Sequence, residues 1–273
     1  MIDRNIMQKV KEAVKKYSDE PILKIENITA DSHNKETTSF IIRLKTKKIK
    51  AVFFADKNQL NDFLKYIPLI KKAPNIICHS NNIILAEWLE GKFYKENKIP
   101  LEGIKKIAFL QAEINKIPVR YNKNNIIRKF NKWFSHLLNY IQKYSSFTKK
   151  EIENIQSYYK INFPKNPRIS LIHGDVSEDN LILTKRGLYS IDNEAVTVFL
   201  TGYDFGKPIN SLCKSKEYEE AYLSSYSKIL PADFYIKNKD FYQLIYLVKR
   251  LVQKLKKHKN ADKIYSKIRE IIK

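Results

Sequence analysis

The fold of this chain is decided by two short stretches, Leu-Ile-His-Gly-Asp-Val-Ser-Glu-Asp-Asn at residues 171–180 and Ile-Asp-Asn-Glu at residues 191–194. Two short apolar runs, 181–183 and 188–191, flank the intervening Thr-Lys-Arg-Gly, which has the composition of a turn. Strand, turn and strand in this order predict a β-hairpin. The hairpin would return Asp192 to the neighbourhood of Asn180.

The side chains at these positions are the ones that phosphoryl transfer requires. A carboxylate must orient the attacking hydroxyl group, and Asp175 can supply it. Oxygen ligands must hold Mg²⁺ against the phosphates, and Asn180 and Asp192 can supply them. His173 is expected to support the backbone of this catalytic loop, as a positioning residue and not as the base. The alternative is an ordinary loop whose aspartates cap a helix and end a strand, but five positions at fixed spacing favour the phosphoryl-transfer site.

The His-Gly-Asp-x4-Asn run and the later Ile-Asp-x-Glu resemble the aminoglycoside phosphotransferase and choline kinase superfamily, whose fold is similar to that of protein kinases. The resemblance implies that Asp175 is the catalytic base and that Asn180 and Asp192 are Mg²⁺ ligands. It also implies an acidic position near the metal or the substrate, which Glu194 matches.

A second aspartate, Asp204, competes with Asp192 for the metal. Residues 204–206 spell the Asp-Phe-Gly triplet with which protein kinases bind metal, but Asp204 lies 24 residues after Asn180 and follows no predicted hairpin strand. The spacing therefore favours Asp192 as the ligand. The resemblance implies that Asp204 braces the catalytic loop. The glycines at 202 and 206 also precede a lysine, but the segment lacks a spacer residue and the Ser or Thr of a P-loop.

The resemblance predicts an α+β fold with two lobes, like that of protein kinases. An N-lobe with a small antiparallel sheet would span residues 1–90, and a larger, mainly helical C-lobe would span 91–273 and carry the catalytic hairpin at 171–206. Apolar residues at steps of three and four over 126–141 and 241–255 predict C-lobe helices. The predicted N-lobe order is strand 22–29, loop 30–38, strand 39–44, turn, and strand 49–54.

Two lysines compete for contact with the nucleotide phosphates. Lys50 lies on the third predicted strand and is the preferred candidate, while Lys57 lies close behind it. The following helical stretch, 58–66, offers Asp62 as its only acidic partner for either lysine. Lysine is common throughout this chain, so an ordinary solvated Lys50 is an equally open interpretation. The loop at 30–38 contains no glycine, so the sequence gives little support for phosphate contact there.

Residues 83–91 run from an apolar strand into a turn that ends in glycine. This segment resembles the superfamily's hinge between the lobes. The resemblance implies that backbone groups near Glu87 and Leu89 bond the edge of adenine.

The composition excludes some classes of protein. The 51 Lys and Arg against 29 Asp and Glu give a net charge of +22, but the excess is scattered and forms no recognised nucleic-acid motif. The cysteines, Cys78 and Cys213, are too few for a disulfide framework. No run approaches the ~18 apolar residues of a membrane-spanning helix. A soluble, cytoplasmic protein is therefore expected.

Together these features predict a Mg²⁺-dependent, ATP-using kinase that phosphorylates a hydroxyl of a small molecule. Choline, an aminoglycoside, a sugar or an amino acid would each serve as acceptor, and the net positive charge favours a neutral or anionic one. A catalytically weak nucleotide-binding scaffold, or pseudokinase, is one alternative, and a basic nucleic-acid-binding protein is another. The sequence does not distinguish ATP from GTP, and it does not indicate the oligomeric state.

Overall fold

The structure of the protein, a computed structural model, describes residues 4–29, 37–94 and 99–273. The strands, in chain order, are β1 (Ile22–Asn27), β2 (Thr37–Leu44), β3 (Lys48–Phe54), β4 (Ile76–Ser80), β5 (Ile83–Glu87), β6 (Lys92–Phe93), β7 (Ile169–Ile172), β8 (Leu181–Thr184), β9 (Gly187–Ser190) and β10 (Thr197–Leu200). The helices are α1 (Arg4–Tyr17), α2 (Lys57–Tyr66), α3 (Leu101–Lys116), α4 (Lys123–Tyr144), α5 (Lys149–Asn162), α6 (Lys216–Ser227), α7 (Asp233–Ile236), α8 (Lys239–Lys256) and α9 (Asp262–Ile271).

The chain divides into two compact units, each drawn from two segments. The first unit comprises Met1–Lys98 and Glu178–Thr197, and the second comprises Ile99–Ser177 and Val198–Lys273. The β8–β9 hairpin therefore groups with the N-terminal unit, whereas the sequence analysis placed it in the C-lobe. The reason is backbone pairing, because β8 lies antiparallel to β6 with Lys92 opposite Leu183.

The first unit is built on a five-stranded sheet in the order β1-β2-β3-β5-β4. Helix α1 covers one face of the sheet and buries Val10 and Val14 against Phe40, Ile42 and Leu85. The apolar residues of α1 recur at helical spacing. Alternate residues of β2 are buried on one face of the sheet and supply the surface against which α1 packs.

Two N-lobe boundaries differ from the prediction. Strand β1 ends at Asn27, two residues early, and β2 begins at Thr37 because the β-branched threonines at 37 and 38 extend the strand. The remainder of the predicted phosphate loop, residues 30–36 with Ser32, lies outside the described residues.

The second unit is mainly helical. Helix α4 packs against α8, α8 against α9, and α3 against α6, while β7 pairs with β10. The two predicted apolar stripes form the buried faces of α4, with Phe130 and Phe134, and of α8, with Leu244 and Val248. Among the described residues, no helix combines the length and the hydropathy needed to cross a membrane.

Candidate active site

The hairpin of the first unit places Asn180 beside the segment that carries Asp192. Strands β8 and β9 pair with Leu181 opposite Ser190, and the pairing continues as the backbone N–H of Ile191 donates to the carbonyl of Asn180 (2.9 Å). Asp192 then adopts the left-handed conformation (φ 53°), which Asp tolerates better than most residues. The predicted metal ligands therefore stand at the adjacent ends of two paired strands.

Lys50 lies against two of the predicted acidic residues. Its Nζ atom forms an ion pair with Asp192 and a second, at 3.1 Å, with Oε1 of Glu194. The Lys50 side chain is only 11% exposed. Burial alone would lower the pKa of Lys50, but the carboxylates of Glu194 and Asp192 outweigh burial and raise that pKa to about 12. Lys50 is therefore a fixed cation at the open end of the hairpin.

The other residues considered for this role lie elsewhere in the first unit. Lys57 begins α2 and is exposed. Among the described residues, Lys50 pairs with Asp192 and Glu194 and not with Asp62, whose Oδ2 atom accepts a hydrogen bond from the hydroxyl of Thr197 (3.3 Å). Helix α2 instead reaches the site through Gln59, whose Nε2 donates to the backbone carbonyl of Glu194 (3.1 Å).

The chemistry of the donor set at 180 and 192 fits Mg²⁺. An amide oxygen from Asn180 and a carboxylate from Asp192 are hard oxygen ligands, and Mg²⁺ ordinarily takes one or two carboxylates plus waters and phosphates. Within the described ranges, no cluster of three or more His, Cys, Asp or Glu residues could hold a metal ion by itself.

In the segment that resembles the hinge, Glu87 forms hydrogen bonds through both its backbone and its side chain. The backbone N–H of Glu87 donates to the carbonyl of Asn75 (2.9 Å), and its carboxylate accepts from Arg186 (3.0 Å). Leu89 is buried in a small apolar cluster with Ile182 and Tyr189. In this structure the N–H of Glu87 is therefore already used within the first unit.

The loop that carries Asp175, predicted to be catalytic, belongs to the second unit and is anchored by Asp204. The backbone N–H of His173 donates to Asp204 Oδ2 (3.1 Å), and that of Gly174 donates to Asp204 Oδ1 (2.8 Å). Burial raises the pKa of Asp204, and these two N–H groups act in the opposite direction. Gly174 has φ 80°, a conformation that glycine adopts without strain. Asp204 thus fixes a sharp turn directly before Asp175.

His173 supports the same turn. Its imidazole is buried, and its Nδ1 atom accepts a hydrogen bond from the backbone N–H of Asp175 (3.3 Å). The hydrogen bond to His173 fixes the backbone of Asp175, while the imidazole ring itself is shielded from solvent.

Asp175 has a cationic partner that the sequence analysis missed. Nζ of Lys207 lies 2.6 Å from Oδ1 of Asp175, whose side chain remains 44% exposed. Burial opposes ionisation of Asp175, but the charges of Lys207 and Lys249 outweigh it and lower its pKa. A carboxylate that stays ionised and reachable is suited to accept a proton from a hydroxyl group.

A cavity of about 120 Å³ opens beside Asp175, within the second unit. Its lining includes Lys207 from the segment after β10, and Tyr246, Lys249 and Arg250 from α8. The sequence signal for Lys249 and Arg250 was their spacing on α8, and the abundance of lysine throughout the chain masked it. Lys207 lies outside α8 and had no such signal.

No protein-family model matches the sequence, and no curated protein matches it. Solved structures do match the fold. A choline kinase from Streptococcus pneumoniae is 15% identical, with a TM-score of 0.66 over 98% of this chain and 99% of that one. A choline kinase from Cryptosporidium parvum is 14% identical, with a TM-score of 0.64 over 99% and 94% of the two chains. The enzyme APH(2")-IIa, in a ternary complex with streptomycin and ATP, is 15% identical, with a TM-score of 0.64 over 100% and 96%.

The fold is therefore that of the protein-kinase-like phosphotransferases, and the predicted α+β class is confirmed. Within that class it is the fold of the aminoglycoside phosphotransferase and choline kinase superfamily, so the resemblance carried by the His-Gly-Asp-x4-Asn motif is confirmed at the level of the fold. The matching structures are small-molecule kinases and phosphotransferases by name.

Proposed function

We propose that the protein is a Mg²⁺-dependent kinase that transfers the γ-phosphoryl group of ATP to a hydroxyl group of a small molecule. The observation that supports this most directly is the hairpin, which sets Asn180 next to the segment of Asp192, with Lys50 paired to Asp192 and Glu194. A protein of the same fold, APH(2")-IIa, carries ATP and streptomycin in its structure.

The first unit supplies the nucleotide-binding groups in this proposal. Asn180 and Asp192 would hold Mg²⁺, which would supply positive charge against the phosphate oxygens. Lys50 exchanges one of its ion pairs, with Asp192 or with Glu194, for contact with the phosphates. It can bind them because its raised pKa keeps it positively charged at neutral pH. Backbone groups near Glu87 and Leu89 bond the edge of the base, with the exception of the N–H of Glu87, which donates to Asn75.

The second unit supplies the acceptor-binding groups. Asp175 accepts a hydrogen bond from the acceptor hydroxyl, and Asp204 and His173 hold its loop in position. The acceptor oxygen bonds to the γ-phosphorus as the bond from that phosphorus to the bridging oxygen of ADP breaks, and the acceptor proton passes to Asp175. The products are a phosphate ester and ADP.

The test is ADP formation from Mg-ATP across a panel of hydroxyl acceptors, with Asp175→Ala and Asp192→Ala in parallel. We expect Asp175→Ala to lose turnover by about 10²- to 10⁴-fold with nucleotide affinity retained. We expect Asp192→Ala to lose the Mg²⁺-dependent part of nucleotide affinity. A wild-type protein that binds Mg-ATP and transfers phosphate to no acceptor would favour the scaffold over the kinase.

A further inference from the structure

The cavity beside Asp175 is lined by an unusual concentration of positive charge. Lys207, Lys249 and Arg250 face it, while its carboxylates are Asp175 and Asp204. Asp204 is engaged by backbone N–H groups, and Asp175 is paired with Lys207. Among the residues that the structure describes, Lys249 and Arg250 form no ion pair with a carboxylate, so both can pair with an anionic ligand.

The hydrogen-bond partners of these two cations are neutral. Nζ of Lys249 donates to the hydroxyl of Tyr203, and Nη1 of Arg250 donates to Oε1 of Gln253 (3.0 Å). Burial opposes the charge on Lys249, but contact with Tyr203 and the charge of Asp175 outweigh it and raise its pKa. Lys249 therefore remains a cation at the wall of the cavity.

The backbone fixes this arrangement. Tyr246, Lys249, Arg250 and Gln253 recur at steps of three and four on α8, so they share one face of the helix. The segment that carries Lys207 approaches the same helix through two glycines. A Cβ at Gly202 would lie 2.1 Å from the ring of Tyr242, and one at Gly206 would lie 2.8 Å from Cβ of Tyr246. The cationic wall is thus built into the packing of α8.

A cationic acceptor suits this cavity poorly. Lys249 and Arg250 would repel its positive charge, and like charges in contact repel more strongly at the dielectric of a protein surface than in water. An anion gains instead from the lysine ammonium and from the guanidinium, whose planar fork matches carboxylate and phosphate oxygens. The volume is also well below the ~300–1,000 Å³ of sites for drug-sized ligands, which favours a compact acceptor.

We infer that the acceptor is a small hydroxyl compound that carries an anionic group, a carboxylate or a phosphate, bound by Lys249 and Arg250 while its hydroxyl group reaches Asp175. This inference rests on the proposed kinase function, because it names the substrate class of the same site. It excludes choline and the polycationic aminoglycosides as the natural acceptors.

The experiment compares four matched compounds, glycerol, glycerate, glycerol 3-phosphate and choline, by calorimetric binding and by ADP formation from Mg-ATP. We expect glycerate or glycerol 3-phosphate to bind at least tenfold more tightly than glycerol, and the better of the two identifies the anionic group. Lys249→Met and Arg250→Gln should each weaken binding of that anion about 10- to 100-fold, as expected for a lost charge-assisted hydrogen bond. Lys256→Met, on the exposed side of α8, is the matched control and should have no effect.

Mg-ATP binding is measured on every variant, so that a folding defect is separated from a binding defect. Preferred binding or phosphorylation of choline would overturn the inference and leave the kinase function intact. Failure of both anions to bind would also overturn it. Anion binding without phosphoryl transfer would support the cationic site and count against the kinase function.

Discussion

The ammonium group of Lys207 lies 2.6 Å from a carboxylate oxygen of Asp175, the residue proposed to take the acceptor proton. This lysine follows Gly206, where the close approach to Tyr246 leaves no room for a side chain. A tightly packed glycine therefore directly precedes the cation that lowers the pKa of the proposed base.

Replacing Lys207 with Met should change the pH dependence of catalysis. Lys207 lowers the pKa of Asp175, so its loss lets that pKa rise. Because the base acts in its ionised form, the acid limb of the kcat/KM profile should move to higher pH. Lys256→Met is the control. An acid limb that stays at the wild-type position in Lys207→Met would show that another group sets it.

Replacing Lys50 with Met should weaken both stability and nucleotide binding. The change leaves the carboxylate of Glu194, only 12% exposed, without its cation. We expect the free energy of unfolding to fall by about 3 kcal/mol and the affinity for Mg-ATP to fall at least about tenfold. Urea denaturation and nucleotide titration measure the two effects. Lys57→Met, which changes an exposed lysine, should match the wild type, and equal losses in both variants would contradict the assignment.

Replacing Asp204 with Ala should destabilise the loop that carries Asp175. Its main effect should be on stability and not on metal binding. The backbone N–H groups of His173 and Gly174 would lose a charged acceptor, at a cost of about 1.5 kcal/mol or more for each bond. We expect a fall of about 3 kcal/mol in the free energy of unfolding, measured by urea denaturation. Asp192→Ala provides the comparison. The prediction would be contradicted by an Asp204→Ala protein that has wild-type stability but no longer requires Mg²⁺ for nucleotide binding. That result would identify Asp204 as the metal ligand.

Replacing Gly202 with Ala should be strongly destabilising. The added Cβ would overlap the ring of Tyr242 at 2.1 Å, and both residues are buried. We expect a loss of about 3 kcal/mol or more, at the upper end of overpacking effects. The double variant Gly202→Ala/Tyr242→Leu should recover part of that loss in the same urea titration. A single variant of unchanged stability would mean that α8 lies further away than the structure indicates.

The local pattern of the sequence was sufficient to predict the hairpin and the sheet. Alternation and turn chemistry are short-range signals, so β8, β9 and most of the first sheet follow from them. The boundary of β2 was missed because threonine serves equally in a strand and in a polar loop.

The partners of the site residues could not be predicted in the same way. Lys50 was preferred over Lys57 by its strand position alone, and its acidic partners lie more than 140 residues further along the chain. Lys207 and Lys249 gave no usable signal, because lysine recurs in nearly every segment. The lysines of the candidate site are identified by their tertiary contacts, which the local sequence does not reveal.

The chain passes from one unit to the other after Lys98, after Ser177 and after Thr197. The N-terminal unit therefore lacks β8 and β9 until residue 190 has left the ribosome. Domains built from one continuous segment can fold in order as they are synthesised. Here the five-stranded sheet is complete by residue 87, but β6 must wait through the helices α3–α5 for β8 and β9, the other strands of its sheet. A fragment that ends near the predicted lobe boundary at residue 91 would contain neither of the proposed metal ligands.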